Sequence, residues 1–120
     1  MKTQSIDIKL WLFYFTEGKT HFVYSPDLDL TGYGNSKSEA QKSFSIALEE
    51  FLKYTTNKDT LFKVLKDLGW KLQKSIGKEY TRYQPAPLTS QFQKNQYLSD
   101  IFDNKPFMKA PKKVSLPVYA

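Results

Sequence analysis

The sequence predicts an α+β fold: a small, antiparallel-rich sheet with a β-β-β-α core, a helical and hairpin insertion, and a returning C-terminal strand. Three observations predict it. Ile6, Ile8, Leu10, Leu12 and Tyr14 alternate with Asp7, Lys9, Trp11, Phe13 and Phe15, the period of two that belongs to a strand. Ser36-Lys37-Ser38-Glu39 fits a capping box and opens a run in which Ala40, Phe44, Ala47, Leu48, Phe51 and Leu52 recur at helical spacing. Near the C-terminus Val114, Leu116 and Val118 alternate with Ser115, Pro117 and Tyr119.

Taken in order, the first strand turns aromatic on its alternate positions after Leu10, which predicts that its second half is covered on both faces. Glu17-Gly18-Lys19-Thr20 supplies a turn, and His21 to Ser25 returns as an antiparallel partner. Pro26 cannot donate to a ladder, while Asp27 and Asp29 can each bond their own backbone, so this stretch ends the second strand in a structured turn. Leu30 to Gly34 forms a short third strand, whose Gly32 and Gly34 either relax the backbone for a sharp entry into the helix, the favoured reading, or bring it close to a neighbour. The 36–52 helix then covers one sheet face.

Leu61, Val64, Leu65 and Leu68 restart the helical period, and Gly69 stands where a C-terminal cap belongs, giving a second helix from about Lys58 to Leu68. Trp70, Leu72 and Ile76 suggest a strand, Gly77 a turn, and Tyr80 and Tyr83 a further extended segment closed by Pro85 and Pro87. Phe92, Leu98, Ile101 and Phe102 predict a third helix from about Thr89 to Asp103, stopped by Pro106. The last strand is assigned to an edge because Pro117 lacks an amide hydrogen. All 120 residues are expected in one domain, with a core of 4–54 plus 112–119 and an insertion of about 57–109.

Composition narrows the chemistry. Cysteine is absent, so disulfides, thiolate metal sites and cysteine nucleophiles are excluded together, in keeping with a cytoplasmic setting. The apolar run Leu10–Phe15 is too short for a membrane span and no cleavage site follows it, so no membrane association or secretion is expected. Residues 1–60 hold seven lysines against eight acidic residues, and residues 61–120 hold ten lysines and Arg82 against four, so the halves carry −1 and +7. The lysines make no long run.

The ordered segment FVYSPDLDLTGYGNSKSEAQKSFSIALEEFL, from Phe22 to Leu52, resembles the core of HicB-family antitoxins. That family has a strand, a Pro-Asp-Leu turn, a glycine-containing short strand and a Ser/Thr-x-x-Glu-Ala helix start. The counterparts here are Pro26-Asp27-Leu28, Gly32 with Gly34, and Ser36 to Ala40. The resemblance covers about Ile6 to Leu52. It implies a pared-down ribonuclease-H-like fold without catalytic carboxylates, used to bind and block a HicA-like ribonuclease toxin, and frequent self-association into homo-oligomers. The family's ribbon-helix-helix or helix-turn-helix segment for operator DNA has no counterpart in this sequence. A weaker resemblance links LFKVLKDLGWKLQKSIGKEYTRY to the toxin partner's fold, but Lys78 and Glu79 follow Gly77 where the toxin carries its histidine.

No catalytic set, metal cluster or phosphate loop is read from the residues, so the protein is expected to be a non-enzyme without cofactor. Asp7 lies among outward positions, Asp27 and Asp29 form a turn, Glu39 caps a helix, and His21 is the only histidine. Toxin contact is expected at Asp27, Asp29, Tyr33 and Asn35, because loops at a sheet edge are exposed and RNA-binding toxin surfaces are basic. The alternative is an RNA- or DNA-binding module using the basic second half, with contacts from Lys78, Tyr80, Arg82 and Tyr83. These aromatics fit cross-strand packing equally well.

Overall fold

Strand β1 (Gln4–Glu17) organises the molecule, pairing antiparallel with β2 (Thr20–Ser25) through the turn at Gly18 and, along its other side, with β6 (Phe107–Val118). A third strand, β3 (Leu30–Gly34), adds to β2, giving the antiparallel order β3-β2-β1-β6. Between β3 and β6 the chain forms helices α1 (Lys37–Tyr54) and α2 (Lys58–Asp67), the hairpin β4 (Lys71–Lys74) and β5 (Tyr80–Gln84), and helices α3 (Leu88–Lys94) and α4 (Gln96–Asn104). The structure is a computed structural model describing residues 4–55, 58–74 and 80–118. Ile76 and Gly77, expected in the hairpin, lie outside them. The α+β expectation holds.

One sheet face is formed by Ile8, Leu10 and Leu12 of β1 with Val23, Val114 and Leu116, and it is closed by Ala40, Phe44 and Leu48 of α1. Leu61, Phe62 and Leu65 of α2, with Trp70 and Tyr83, join this same core. The 57–109 segment therefore shares the main core instead of building a separate one. Helix α1 starts at the expected cap, Ser36, whose Oγ accepts from the Glu39 amide at 3.1 Å. Helix α2 ends in a Schellman motif, with Gly69 at φ +91° and the Trp70 amide donating to the Leu65 carbonyl at 2.9 Å.

Four findings bear on the expectations. First, the cover expected on both faces of the second half of β1 is present: α3 and α4 lie over part of the second face, where Leu98 and Ile101 pack on Phe13, Phe15 and Tyr24. Second, the predicted helix 89–103 is two helices. Asn95 takes an extended conformation (φ −110°, ψ 99°) and its Oδ1 caps α4 by accepting from the Leu98 amide at 3.0 Å. Third, Gly32 serves close approach. A Cβ there would run into the backbone of Phe44 and Ala40, so its absence lets α1 settle onto β3. The same holds at Gly34, where a Cβ would lie 2.5 Å from Glu39 Cβ. Fourth, the last strand begins at Phe107, well before Lys112.

That long β6 runs through two prolines without breaking. The Trp11 amide points away from β6, to Asp27, so odd-numbered residues of β1 bond on the β2 side and even-numbered ones toward β6. Pro111 and Pro117 stand opposite Trp11 and Ser5, at positions whose own amides would point off the sheet. No ladder bond is lost, and the outer edge is blunted against another strand. At the opposite edge the Tyr33 amide donates to Ser43 Oγ of α1 at 3.1 Å, so that amide is occupied too.

Candidate functional site

The Pro26–Asp29 turn separates two aspartates by burial. Asp27 is 3% exposed, which corrects the expectation that this loop leaves it on the surface. Its Oδ2 accepts from the Trp11 amide at 3.1 Å, taking the ladder place that β2 vacates after Ser25, and its Oδ1 accepts from Gln91 Nε2 at 2.9 Å. Its carbonyl accepts from Trp70 Nε1 at 2.7 Å. Burial pushes the Asp27 carboxyl above the usual aspartate range, while the Gln91 and Trp11 bonds pull it back. One residue thus ties β1, α3 and the end of α2 together.

Asp29 faces outward. It adopts φ +54°, a left-handed conformation that Asp tolerates better than most residues, and its Oδ1 accepts from the Tyr24 hydroxyl at 3.0 Å. The Tyr24 oxygen in turn accepts from Asn95 Nδ2 at 2.7 Å. Burial raises the Tyr24 hydroxyl well above its ordinary value, so it keeps its proton and stays a donor to Asp29. Next to this chain lies a crevice of about 640 Å³ between the turn, the end of α2 and α3.

The third predicted residue, Tyr33, is 65% exposed at the β3 edge. Its ring is the outer end of a cross-strand aromatic row: Phe15 stacks on Phe22 with centroids 5.2 Å apart, and Phe22 meets Tyr33 at 6.4 Å. Asn35 is exposed just beyond. Phe15 and Phe22 also line an apolar hollow of about 280 Å³ at the hairpin end, together with His21, Phe107 and Met108, the last 63% exposed. Sequence reasoning missed this hollow. The alternation Phe15, Phe22, Tyr33 signals it only once the register is known.

Of the alternative set, Lys78 lies outside the described residues, as do the side chains of Tyr80 and Arg82. Tyr83 is 5% exposed and packs edge-on against Phe62, so it belongs to the core and is not a stacking platform, a correction with burial as its cause. Of the carboxylates weighed for catalysis, those of Asp7, Asp27 and Asp29 are engaged in structural contacts. Asp7 accepts from Ser115 Oγ at 2.7 Å and pairs with Lys113 at 3.4 Å, contacts that lower its pKa. Outside that set, Glu17 pairs with Lys105 at 2.6 Å. Among the described residues no three His, Asp or Glu side chains gather as metal ligands, and no helix is long and apolar enough to cross a membrane. Compared with known proteins, the chain matches no family model, no curated protein and no solved structure.

Proposed function

We propose that this protein is a non-catalytic, antitoxin-like binding protein of the cytoplasm that captures a small basic ribonuclease toxin of the HicA-like kind along its β3 edge. The observation that carries the reading is Tyr33. A large aromatic side chain held 65% exposed at the end of a packed aromatic row is the composition of a binding hot spot, and Phe22 connects it to an apolar hollow that would take a partner's side chain. Asn35, just beyond Tyr33, and Asp29, before the other end of β3, give that edge polar and acidic groups suited to a basic partner. Asp27 has the role of holding the turn in shape. The order of turn, glycine strand, cap and helix from Phe22 to Leu52 supports the antitoxin class.

Co-expression with a small basic protein encoded beside it tests the reading. The two are expected to co-purify, the partner's ribonuclease activity is expected to be suppressed, and Tyr33→Ala is expected to weaken the complex by about 30-fold. Absence of any association in that experiment overturns it. Self-association fits the same class, and it would use this aromatic edge or the hollow, because prolines interrupt the outer edge of β6. Light scattering at tens of micromolar, roughly the range in which weak dimers form, reads the mass directly.

A further inference from the structure

The second sheet face is divided. Helices α3 and α4 cover it over Phe13, Phe15 and Tyr24, Trp11 packs half-buried against the margin of that cluster, and beyond it Lys9, Lys109, Pro111 and Lys113 are exposed. Cross-strand register places Lys9 opposite Lys113, Trp11 opposite Pro111 and Phe13 opposite Lys109, so these side chains share that face. Trp11 is half-buried, and the ammonium groups of Lys9 and Lys109 lie 4.8 and 4.4 Å from its ring centroid. Neither lysine makes an ion pair among the described residues. Lys113 is 77% exposed and shares Asp7 with Ser115. Two ammonium groups thus lie over one indole, and a third lysine, Lys113, stands across the ladder from Lys9 with Asp7 as its carboxylate partner, so cations outnumber carboxylates among these residues.

We propose that this open face binds single-stranded nucleic acid, with Trp11 as the stacking platform for a base and Lys9, Lys109 and Lys113 as phosphate contacts. The chemistry follows from the residue types. An indole offers a π-face to any unstacked base, and flexible lysines on either side meet the backbone that carries it. Successive same-face residues on a strand stand about 6.6 Å apart, so lysines on two paired strands follow an extended chain laid across the ribbon. The lysine–indole contacts are weak at an exposed site, so the ammonium groups swing to phosphates as a base takes their place. Pro111 and the outward prolines keep another β-strand off the edge, which leaves the flat face as the accessible surface. The site is separate from the β3 edge and stands or falls independently of the toxin reading.

Fluorescence anisotropy with labelled single strands of roughly 12 nucleotides, RNA and DNA, against a duplex of the same sequence tests it on the full chain at about 20 mM salt. Single strands are expected to bind and the duplex to bind at least tenfold more weakly. Lys9→Gln, Lys109→Gln and Lys113→Gln together are expected to reduce the slope of log affinity against log salt by about 2, since each phosphate contact to a single strand contributes about 0.7. These positions are exposed, so the variant folds. Intrinsic fluorescence gives the second readout: Trp70 is 4% exposed, so quenching by a single strand should come from Trp11 and vanish in Trp11→Phe, while that variant keeps most of the affinity. No binding at low salt overturns the proposal. So does equal binding of the duplex, an unchanged slope in the triple variant, or quenching that survives Trp11→Phe.

Discussion

The two faces of the sheet are built to different ends. Under α1 and α2 the face is continuous and apolar, from Ile8 through Leu10 and Leu12 to Val23, with Val114 and Leu116 beside them, and the helix backbone presses directly on Gly32. The opposite face is broken into three: exposed Tyr33 at the β3 edge, a middle covered by α3 and α4, and the lysine-flanked Trp11 at the other end. The same strand β1 supplies both faces by alternation. The difference teaches that the larger core lies on one side of β1, while the other side is split between a smaller core of Phe13, Phe15, Tyr24, Leu98 and Ile101 and side chains left outside it, Tyr33 exposed and Trp11 half-buried.

Substitutions can break that comparison or sharpen it. Gly32→Ala attacks the closed face, because a Cβ would overlap the Phe44 and Ala40 backbone, and it should cost about 3 kcal/mol or more by urea unfolding. Asp27→Ala removes the acceptor of the Trp11 and Gln91 bonds that join the faces and should cost about 2–3 kcal/mol. This loss depends on pH. The folded Asp27 carboxyl titrates above the ordinary 3.8 because it is buried, so the native state binds that proton more readily than the unfolded chain. The charged form contributes less to stability than the protonated form, and the difference is recovered as pH falls through the folded pKa. The gap between wild type and Asp27→Ala should therefore widen from pH 7 toward 3.8, measured by urea midpoints at each pH.

Smaller effects separate the faces further. Asn95→Ala deletes the α4 cap and the donor to Tyr24, and should cost about 1 kcal/mol, with faster amide exchange in α3 and α4 than in α1. Ser25→Ala should go the other way. The Ser25 hydroxyl is fully buried and has no partner among the described residues, so its removal is expected to stabilise by about 1 kcal/mol in thermal unfolding. Tyr33→Ala is expected to change stability by less than about 0.5 kcal/mol while weakening partner capture, and a large stability loss would place Tyr33 among the structural aromatics instead.

Much of the fold was legible because local rules governed it. The alternation in β1, the Ser36 cap and the Gly69 stop each act within a few residues, and each stands where the sequence puts it. The aromatic alternate positions of β1 also foretold cover on both faces, although not which elements supply it. Misreadings came from tertiary context. Asn95 falls in the six-residue gap between Phe92 and Leu98, where polar Asn95 and Gln96 hold the i+3 and i+4 places, and it is also an N-cap residue three positions before Leu98. Pro111 reads as a strand breaker until the register shows that its missing amide faces away from β1. Asp27 has a sufficient local explanation as a turn former, and nothing local indicates that it reaches Trp11, Trp70 and Gln91. For the site, the exposure of Tyr33 and Asn35 was readable from their place at a strand end, whereas the hollow and the Trp11 face exist only through cross-strand pairing.

The reach of Asp27 also bears on how the chain folds. Its three bonds span sequence separations of 16, 43 and 64 residues, whereas the β1–β2–β3 meander and α1 are assembled from near neighbours. Bonds that require three distant segments to arrive together form after local structure has made the intervening loops affordable in entropy. Asp27→Ala should therefore leave the refolding rate nearly unchanged and express its destabilisation as faster unfolding, visible as a shift of one arm of a chevron plot. On this view the turn acts as a latch: it closes last, and it sets the lifetime of the folded state more than the speed of reaching it.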